Sequence, residues 1–173
     1  MNQGEASPDL DPRAPIVDGG TLTLVAELQV RQAMRLQYFV SLLALQVDTE
    51  EPRPHPEWLA PHRLIAEAIR DQIRRTDVVS VTPGSPYLQV LLVSTYLDSL
   101  PGIIGRIVVA LNGHTFDTNG GAARLTLSMG GACYPTTARD RVELFQQAES
   151  LSVEAREDRS RSGHRYRLAQ RAS

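Results

Sequence analysis

The apolar residues of the chain recur with helical spacing in four segments that are separated by polar or proline-rich stretches. In such a pattern the apolar side chains form one face of each helix, and that face packs against a core. The predicted helices cover residues 21–36, 62–75, 101–113 and 139–159. Thr21 follows two glycines and is the predicted N-cap of the first helix, and Ser99 is the predicted cap of the third.

Strand patterns lie between these helices. An almost continuous apolar run at 38–47 predicts a strand that is covered on both faces. Two apolar segments, 77–81 and 87–93, flank the sequence TPGSP and predict a β-hairpin. Residues 123–135 and 164–170 complete the predicted strands. Helices that alternate with hairpin-connected strands predict the α+β class, with a ferredoxin-like core and a central antiparallel-rich sheet flanked by helices.

The length of 173 residues predicts one folded domain with short tails. Residues 1–20 are rich in proline, aspartate and glycine and are interpreted as a flexible lead-in, residues 21–167 as the domain, and residues 168–173 as a tail. Four prolines make 48–61 a predicted loop, and 113–123 is interpreted as a turn-rich connector.

Composition removes several classes of function. The net charge of −2 gives no overall basic footprint for nucleic acid. All 18 positive side chains are arginine, so the chain has no lysine nucleophile and no phosphate-binding lysine of the P-loop type. Cys133 is the single cysteine, which excludes a disulfide within the chain and a cysteine-based zinc site. No cofactor is predicted.

The predicted location is the cytoplasm. The first 15 residues are polar and acidic and lack the apolar core of a signal peptide. No apolar run approaches the roughly 20 residues that span a bilayer, so we expect no membrane insertion.

Isolated candidates for catalysis do not form a recognisable constellation. The four histidines lack the spacing of metal ligands and are interpreted as solvated loop residues. Ser128 is not surrounded by Gly-x-Ser-x-Gly and is interpreted as a strand serine. We therefore assign no catalytic residue and no metal ligand from the sequence.

Several segments are informative when they are taken in order. SLLALQVD is an apolar run ending in Gln-x-Asp, and IAEAIRDQIRRTDVVSV leads from a helix pattern into Arg-x-x-Asp. LQVLL then follows the hairpin, and LTLSMGGACYP and QAESLSVEAR come later. This order resembles the GGDEF domain, the catalytic domain of bacterial diguanylate cyclases, over residues 11–167. The resemblance implies the nucleotidyl cyclase-like fold of that family.

The hairpin departs from the family at its signature. The family carries Gly-Gly-Asp/Glu-Glu-Phe at this tip, where a carboxylate helps to hold divalent metals and the glycines let GTP phosphates approach. The matching residues here are Pro83, Gly84, Ser85, Pro86 and Tyr87, or, with the alignment moved by one position, Gly84 to Leu88. Both carboxylates are absent in either alignment.

A second metal position is altered as well. Gln46 stands at the first aspartate of the family's Asp-x-Asp, and Asp48 retains the second. Since Mg²⁺ in a phosphoryl-transfer site needs hard oxygen ligands, the resemblance implies a degenerate GGDEF domain that is not an enzyme. The alternative enzyme is an altered nucleotidyl transferase, for which Asp48, Glu50 and Glu51 are the carboxylates near the hairpin.

One further motif of the family is present. Arg74 and Asp77 match its Arg-x-x-Asp, the inhibitory site that binds cyclic di-GMP. A guanidinium can donate two hydrogen bonds to a guanine edge or a phosphate, and a carboxylate can accept from guanine N–H groups. The alternative is structural, since the same residues suit the end of a helix followed by a strand.

The resemblance therefore implies a regulatory or scaffolding module in bacterial signalling. In one hypothesis it is a receptor that binds cyclic di-GMP through Arg74 and Asp77 and passes this state to a partner protein. In the other it binds no nucleotide and acts through protein contacts, with a partner protein or as a homodimer.

Overall fold

The computed structural model describes residues 11–48, 59–85, 87–112, 116–118, 121–123, 125–158 and 163–171. Within these residues the strands are β1 (Ile16–Val17), β2 (Val40–Asp48), β3 (Val78–Val81), β4 (Tyr87–Val93), β5 (Phe116–Thr118), β6 (Gly121–Ala123), β7 (Thr126–Tyr134) and β8 (Arg165–Leu168). The helices are α1 (Gly19–Leu36), α2 (Leu59–Arg70), α3 (Leu100–Asn112) and α4 (Arg141–Glu157).

Six of the described strands form one sheet, in the order β1-β3-β4-β2-β7-β8. The inner pairs are antiparallel, and β1 and β8 pair with their neighbours in parallel at the two edges. The central four strands, with α2 and α3 as connections, give the βαββαβ arrangement of a ferredoxin-like core. The predicted α+β class and antiparallel-rich sheet are therefore confirmed.

The sheet has an apolar cluster on each face. Alternate residues of the strands point to opposite faces, so Leu43 and Leu45 lie in one cluster and Leu42 and Ala44 in the other. Helices α2 and α3 cover the first cluster, and α1 and α4 cover the second. Strand β2 is buried between them, as its continuous apolar run predicts.

The cap of α1 differs from the prediction. Asp18, not Thr21, is the N-cap, and its carboxylate accepts a hydrogen bond from the backbone N–H of Thr21 at 2.7 Å. An ionised carboxylate three residues before a helical N–H is a good acceptor for one of the donors that the helix leaves unpaired. The glycines that follow Asp18 consequently lie inside the helix.

Helix α2 also ends earlier than the predicted residue 75. The N–H of Gln72 bonds to the carbonyl of Ile69, and the N–H of Arg74 bonds to the side chain of Asp77. A side-chain acceptor that captures a backbone donor competes with continued helix. Arg74 and Asp77 therefore lie in a turn between α2 and β3.

Other boundaries are refined by the fold. A 3₁₀ turn, Leu97–Ser99, leads directly into α3. Ser99, the predicted cap of α3, is the last residue of this turn. The predicted connector 113–123 contains the two-stranded hairpin of β5 and β6. Strand β1 and the first residues of α1 fall within the range interpreted as a lead-in, and Leu168 falls in β8.

Candidate functional site

The carboxyl end of β2 lies between the β3–β4 hairpin and the start of β7. Gln46 pairs with Tyr87 of β4 on one side and with Ser128 of β7 on the other. Asp48, two residues later, ends the strand opposite Thr126. The topology thus brings the position of the family's Asp-x-Asp next to the hairpin, as the resemblance implies.

Gln46 is 5% exposed, and α4 covers it. Its amide nitrogen donates a long hydrogen bond of 3.5 Å to the Ser152 hydroxyl. Its amide oxygen accepts one from the Arg156 guanidinium at 3.4 Å. An open depression of about 360 Å³ lies beside these groups and is bordered also by Val153 and Glu157.

A second polar contact joins the same helix to β4. The amide nitrogen of Gln89 donates to the Glu149 carboxylate at 2.9 Å. Burial raises the pKa of Glu149, and the hydrogen bond from Gln89 acts in the opposite direction. One face of α4 therefore presents an acid, a hydroxyl and a guanidinium to the polar residues of the sheet.

The hairpin tip holds a tight turn. The N–H of Ser85 donates to the carbonyl of Thr82 at 3.1 Å, and Gly84 has φ of +79°, which favours glycine. The hydroxyl of Ser85 accepts a hydrogen bond from the N–H of Tyr87 at 3.2 Å. The predicted tip residue Pro86 lies outside the described residues. The remaining tip side chains, from Thr82 to Ser85, carry no charge.

Gln46 is unsuited to hold a divalent cation, and the side chain of Asp48 lies outside the described residues. Gln46 already uses its oxygen to accept from Arg156, and a guanidinium at 3.4 Å from that oxygen repels a second cation. The tip supplies hydroxyl oxygens in place of carboxylates. Across the described parts of the chain, no three His, Cys, Asp or Glu side chains are grouped as metal ligands.

The Arg74–Asp77 turn is a separate location at the other end of β3. Asp77 is 2% exposed, and each of its carboxylate oxygens accepts a backbone N–H at 2.9 Å, one from Arg74 and one from Val93. The N–H of Asp77 bonds in turn to the carbonyl of Arg74 at 3.0 Å. Asp77 therefore stabilises the turn through its bonds with Arg74 and attaches the turn to β4 through Val93.

The two side chains of this motif have opposite exposure. Burial raises the pKa of Asp77, and the N–H donors of Val93 and Arg74 oppose this shift. Arg74 is exposed, as are Arg75 and Thr76. The Arg74 side chain is thus exposed to solvent, whereas the Asp77 carboxylate accepts hydrogen bonds from the protein backbone.

The sequence analysis identified Gln46 as an altered metal position, but it did not identify the residues of α4 that face it. Glu149, Ser152 and Arg156 are separated by three and four positions, the spacing of one helical face. The available signal was the polar residue Gln46 within the apolar run of β2, which requires a polar partner from whatever covers it.

The comparisons address the fold. No family model matches the chain, and no curated protein matches its sequence. Among solved structures, the GGDEF domain of YfiN (TpbB) from Pseudomonas aeruginosa matches with a TM-score of 0.74 at 21% identity, covering 91% of both chains. Diguanylate cyclase SiaD of the same organism, solved with its activator SiaC, matches at 0.71 and 17% identity, over 88% of this chain and 58% of SiaD.

A third match is DgcB from Caulobacter crescentus, whose coiled coil and GGDEF domain were solved in complex with cyclic di-GMP. The TM-score is 0.64 at 10% identity, over 88% of this chain and 80% of that one. In the part of this chain that the structure describes, no helix is both long and apolar enough to cross a membrane.

The three structural matches show that the chain has the fold of the GGDEF domains of diguanylate cyclases.

Proposed function

We propose that the chain is a regulatory module of bacterial cyclic di-GMP signalling that has the GGDEF fold without diguanylate cyclase activity. The observation that carries this proposal is the contact between Gln46 and Arg156 at the end of β2. A neutral amide that accepts from a guanidinium stands where the family has a metal-binding aspartate. The cytoplasm remains the proposed location.

The chemistry of the reaction supports this conclusion. Condensing two GTP molecules requires a hydroxyl to attack a phosphoryl group whose charge is balanced by divalent cations held on carboxylates. Gln46 contributes a neutral oxygen, Arg156 contributes a positive charge, and the described tip residues contribute hydroxyls or nothing. With Asp48 as the one carboxylate retained from the family's Asp-x-Asp, we expect such a site to bind Mg²⁺ poorly against water.

We propose further that cyclic di-GMP binds at the Arg74–Asp77 turn. Arg74 supplies the exposed guanidinium, which can donate to a phosphate or to a guanine edge. In this proposal Asp77 acts through the turn, because both of its oxygens already accept backbone N–H groups. Direct contact between Asp77 and the ligand would require the turn to open.

The burial of Asp77 also supports a second function, in which the module binds no nucleotide and acts through contacts with a protein partner or a second copy. In that case the Arg-x-x-Asp residues are retained because Asp77 joins the turn to Val93. The two functions differ in what they require of Arg74. A receptor loses its ligand without Arg74, whereas a scaffold does not depend on it.

Calorimetric titration separates these possibilities. With cyclic di-GMP we expect micromolar binding, weakened about ten-fold or more in Arg74→Ala, because a charge-assisted hydrogen bond contributes roughly 1.5 kcal/mol or more. Arg75→Ala, which removes an exposed arginine from the same turn, is the matched control and should bind like the wild type. Absence of heat with cyclic di-GMP would favour the scaffold.

GTP with Mg²⁺ tests the catalytic part of the proposal independently. We expect no formation of cyclic di-GMP over hours of incubation, measured by chromatography, with an active diguanylate cyclase as the positive control. Turnover that is abolished by substituting Asp48 would contradict the proposal and support the altered nucleotidyl transferase instead.

A further inference from the structure

Residues 11–17, which we call the N-terminal strap, are attached to α2 by charged side chains. The Asp11 carboxylate accepts hydrogen bonds from the backbone N–H and the guanidinium of Arg13, at 2.9 to 3.0 Å, and also from the guanidinium of Arg70. Arg13 in turn lies 3.9 Å from the Asp71 carboxylate. The strap therefore contacts the last residue of α2 and the residue after it.

Arg70 makes this contact more than a surface ion pair. Its side chain is 11% exposed, and its Nε is buried without a hydrogen-bond partner among the described residues. A guanidinium removed from water in this way depends strongly on its counter-ion. Hydrogen bonds from Arg13 favour the charged form of Asp11 and hold its pKa well below its usual range.

The same strap is joined to β3 through its backbone. The carbonyl of Pro15 accepts the N–H of Val79 at 3.0 Å, and Ile16 pairs in parallel with Val79. Ala14, between the two attachments, is 1% exposed. The strap is thus fixed at both ends, by α2 and by β3.

These two attachments lie on either side of the Arg74–Asp77 turn. Arg70 and Asp71 precede the turn, and Val79 follows it by two residues. The turn itself is closed by the reciprocal bonds between Arg74 and Asp77. Displacement of the strap would therefore remove contacts with the residues on both sides of the turn at once.

We propose that the N-terminal strap regulates the Arg74–Asp77 turn, so that the contact between Asp11 and Arg70 holds the turn closed and its loss loosens the turn. The part of this proposal that concerns ligand affinity rests on the proposed binding of cyclic di-GMP. The coupling between strap and turn does not, because the turn can be observed without a ligand.

Backbone hydrogen exchange at neutral pH tests the coupling. In Asp11→Asn we expect the amides of Arg74 and Asp77 to exchange about five-fold faster or more, as local opening becomes easier. The amide of Met129, in the centre of the sheet, should exchange as in the wild type. Asp98→Asn is the matched control, because it removes an exposed carboxylate that pairs with Arg171 far along the chain.

Two outcomes would overturn the coupling. In one, Arg74 and Asp77 exchange at the wild-type rate in Asp11→Asn. In the other, the amide of Met129 accelerates by the same factor, which would show a general loss of stability. Arg13→Gln provides a second variant, with a smaller acceleration expected because the backbone N–H of Arg13 still donates to Asp11 and only exposed side-chain contacts are lost.

Titration with cyclic di-GMP then connects the strap to the ligand. We expect Asp11→Asn to weaken binding about five-fold, which lies at the lower end of ordinary coupling between sites. If exchange accelerates in Asp11→Asn but the wild type binds no cyclic di-GMP, the coupling of strap and turn is supported and cyclic di-GMP is not the ligand. If the wild type binds cyclic di-GMP but neither exchange nor affinity changes in Asp11→Asn, the coupling is contradicted and cyclic di-GMP is supported as the ligand.

Discussion

At the residue scale, His164 joins three elements through its ring nitrogens. Nδ1 accepts a hydrogen bond from the N–H of Leu127 at 3.1 Å, and Nε2 lies 3.1 Å from the side-chain oxygen of Asn112. A ring that accepts at Nδ1 and donates from Nε2 is neutral. His164 thus connects the start of β8 with β7 and the end of α3 in its uncharged form.

The neutral state of His164 predicts a dependence of stability on pH. Burial lowers the pKa of His164 below its ordinary value, so the unfolded state binds the proton more readily. Its contribution is therefore complete above the unfolded pKa of about 6.5 and is lost as pH falls through the lower folded pKa. Urea denaturation between about pH 7.5 and pH 5 measures this loss.

Replacing the ring isolates its part of the effect. His164→Gln keeps a hydrogen-bond acceptor but cannot be protonated, so the free energy of unfolding should fall less steeply with acid than in the wild type. Equal slopes in the wild type and His164→Gln would show that His164 does not titrate on unfolding.

At the element scale, Gly130 determines how closely α4 approaches the sheet. A Cβ at Gly130 would lie 2.0 Å from the carbonyl oxygen of Ala148 and 2.4 Å from the nitrogen of Ser152. Both are backbone atoms, so the helix rests directly on the strand. This close approach brings Ser152 and Arg156 within reach of Gln46.

Gly130→Ala should therefore destabilise the protein strongly. Because the helix backbone cannot yield locally, we expect a loss of about 3 kcal/mol or more in the free energy of unfolding, measured in urea. Gly105→Ala in α3 is the control, since a Cβ there meets nothing within 4 Å. It should stabilise the protein by about 1 kcal/mol through helix propensity. A Gly130→Ala protein within about 0.5 kcal/mol of the wild type would contradict this packing.

Local sequence patterns predict some of the elements correctly but misplace the cap of α1. Apolar spacing located α1 and α4 because each buries one regular face. It located the β3–β4 hairpin because two short apolar segments, which are buried on both faces of the sheet, flank a turn sequence. It misplaced the cap of α1, because Asp18 and Thr21 are both good caps and two glycines separate them. Close packing accounts for the first of these glycines, since a Cβ at Gly19 would lie 2.5 Å from the hydroxyl of Thr82 in the hairpin turn. No local pattern contains that contact.

At the scale of the whole molecule, strand order decides which residues form the candidate site. The pairing of β2 with β4 places Gln46 beside the hairpin. Arg156 contacts Gln46 although the two residues are 110 positions apart in the sequence. The contact between Asp11 and Arg70 likewise joins residues that are 59 positions apart. Such contacts depend on how the helices are placed on the sheet, which the spacing of apolar residues does not specify.

The two apolar clusters share one sheet, which predicts that they unfold together. Cys133, the single thiol, is fully buried in the cluster beneath α2 and α3. Asp18 caps α1, which packs on the opposite cluster. If the sheet couples its two faces, a weakened cap on one face makes a thiol on the other more accessible.

Asp18→Ala should lower the free energy of unfolding by about 1 kcal/mol, the usual contribution of an N-cap, and Thr21→Ala by clearly less. Labelling of Cys133 with a thiol reagent should then be about five-fold faster in Asp18→Ala, the factor that corresponds to 1 kcal/mol in a two-state equilibrium. An unchanged labelling rate despite a lowered urea midpoint would mean that α1 detaches while the other cluster remains intact. The rate at Cys133 is informative because the thiol lies on the face of the sheet opposite the substitution, so only opening of the shared sheet can transmit the effect.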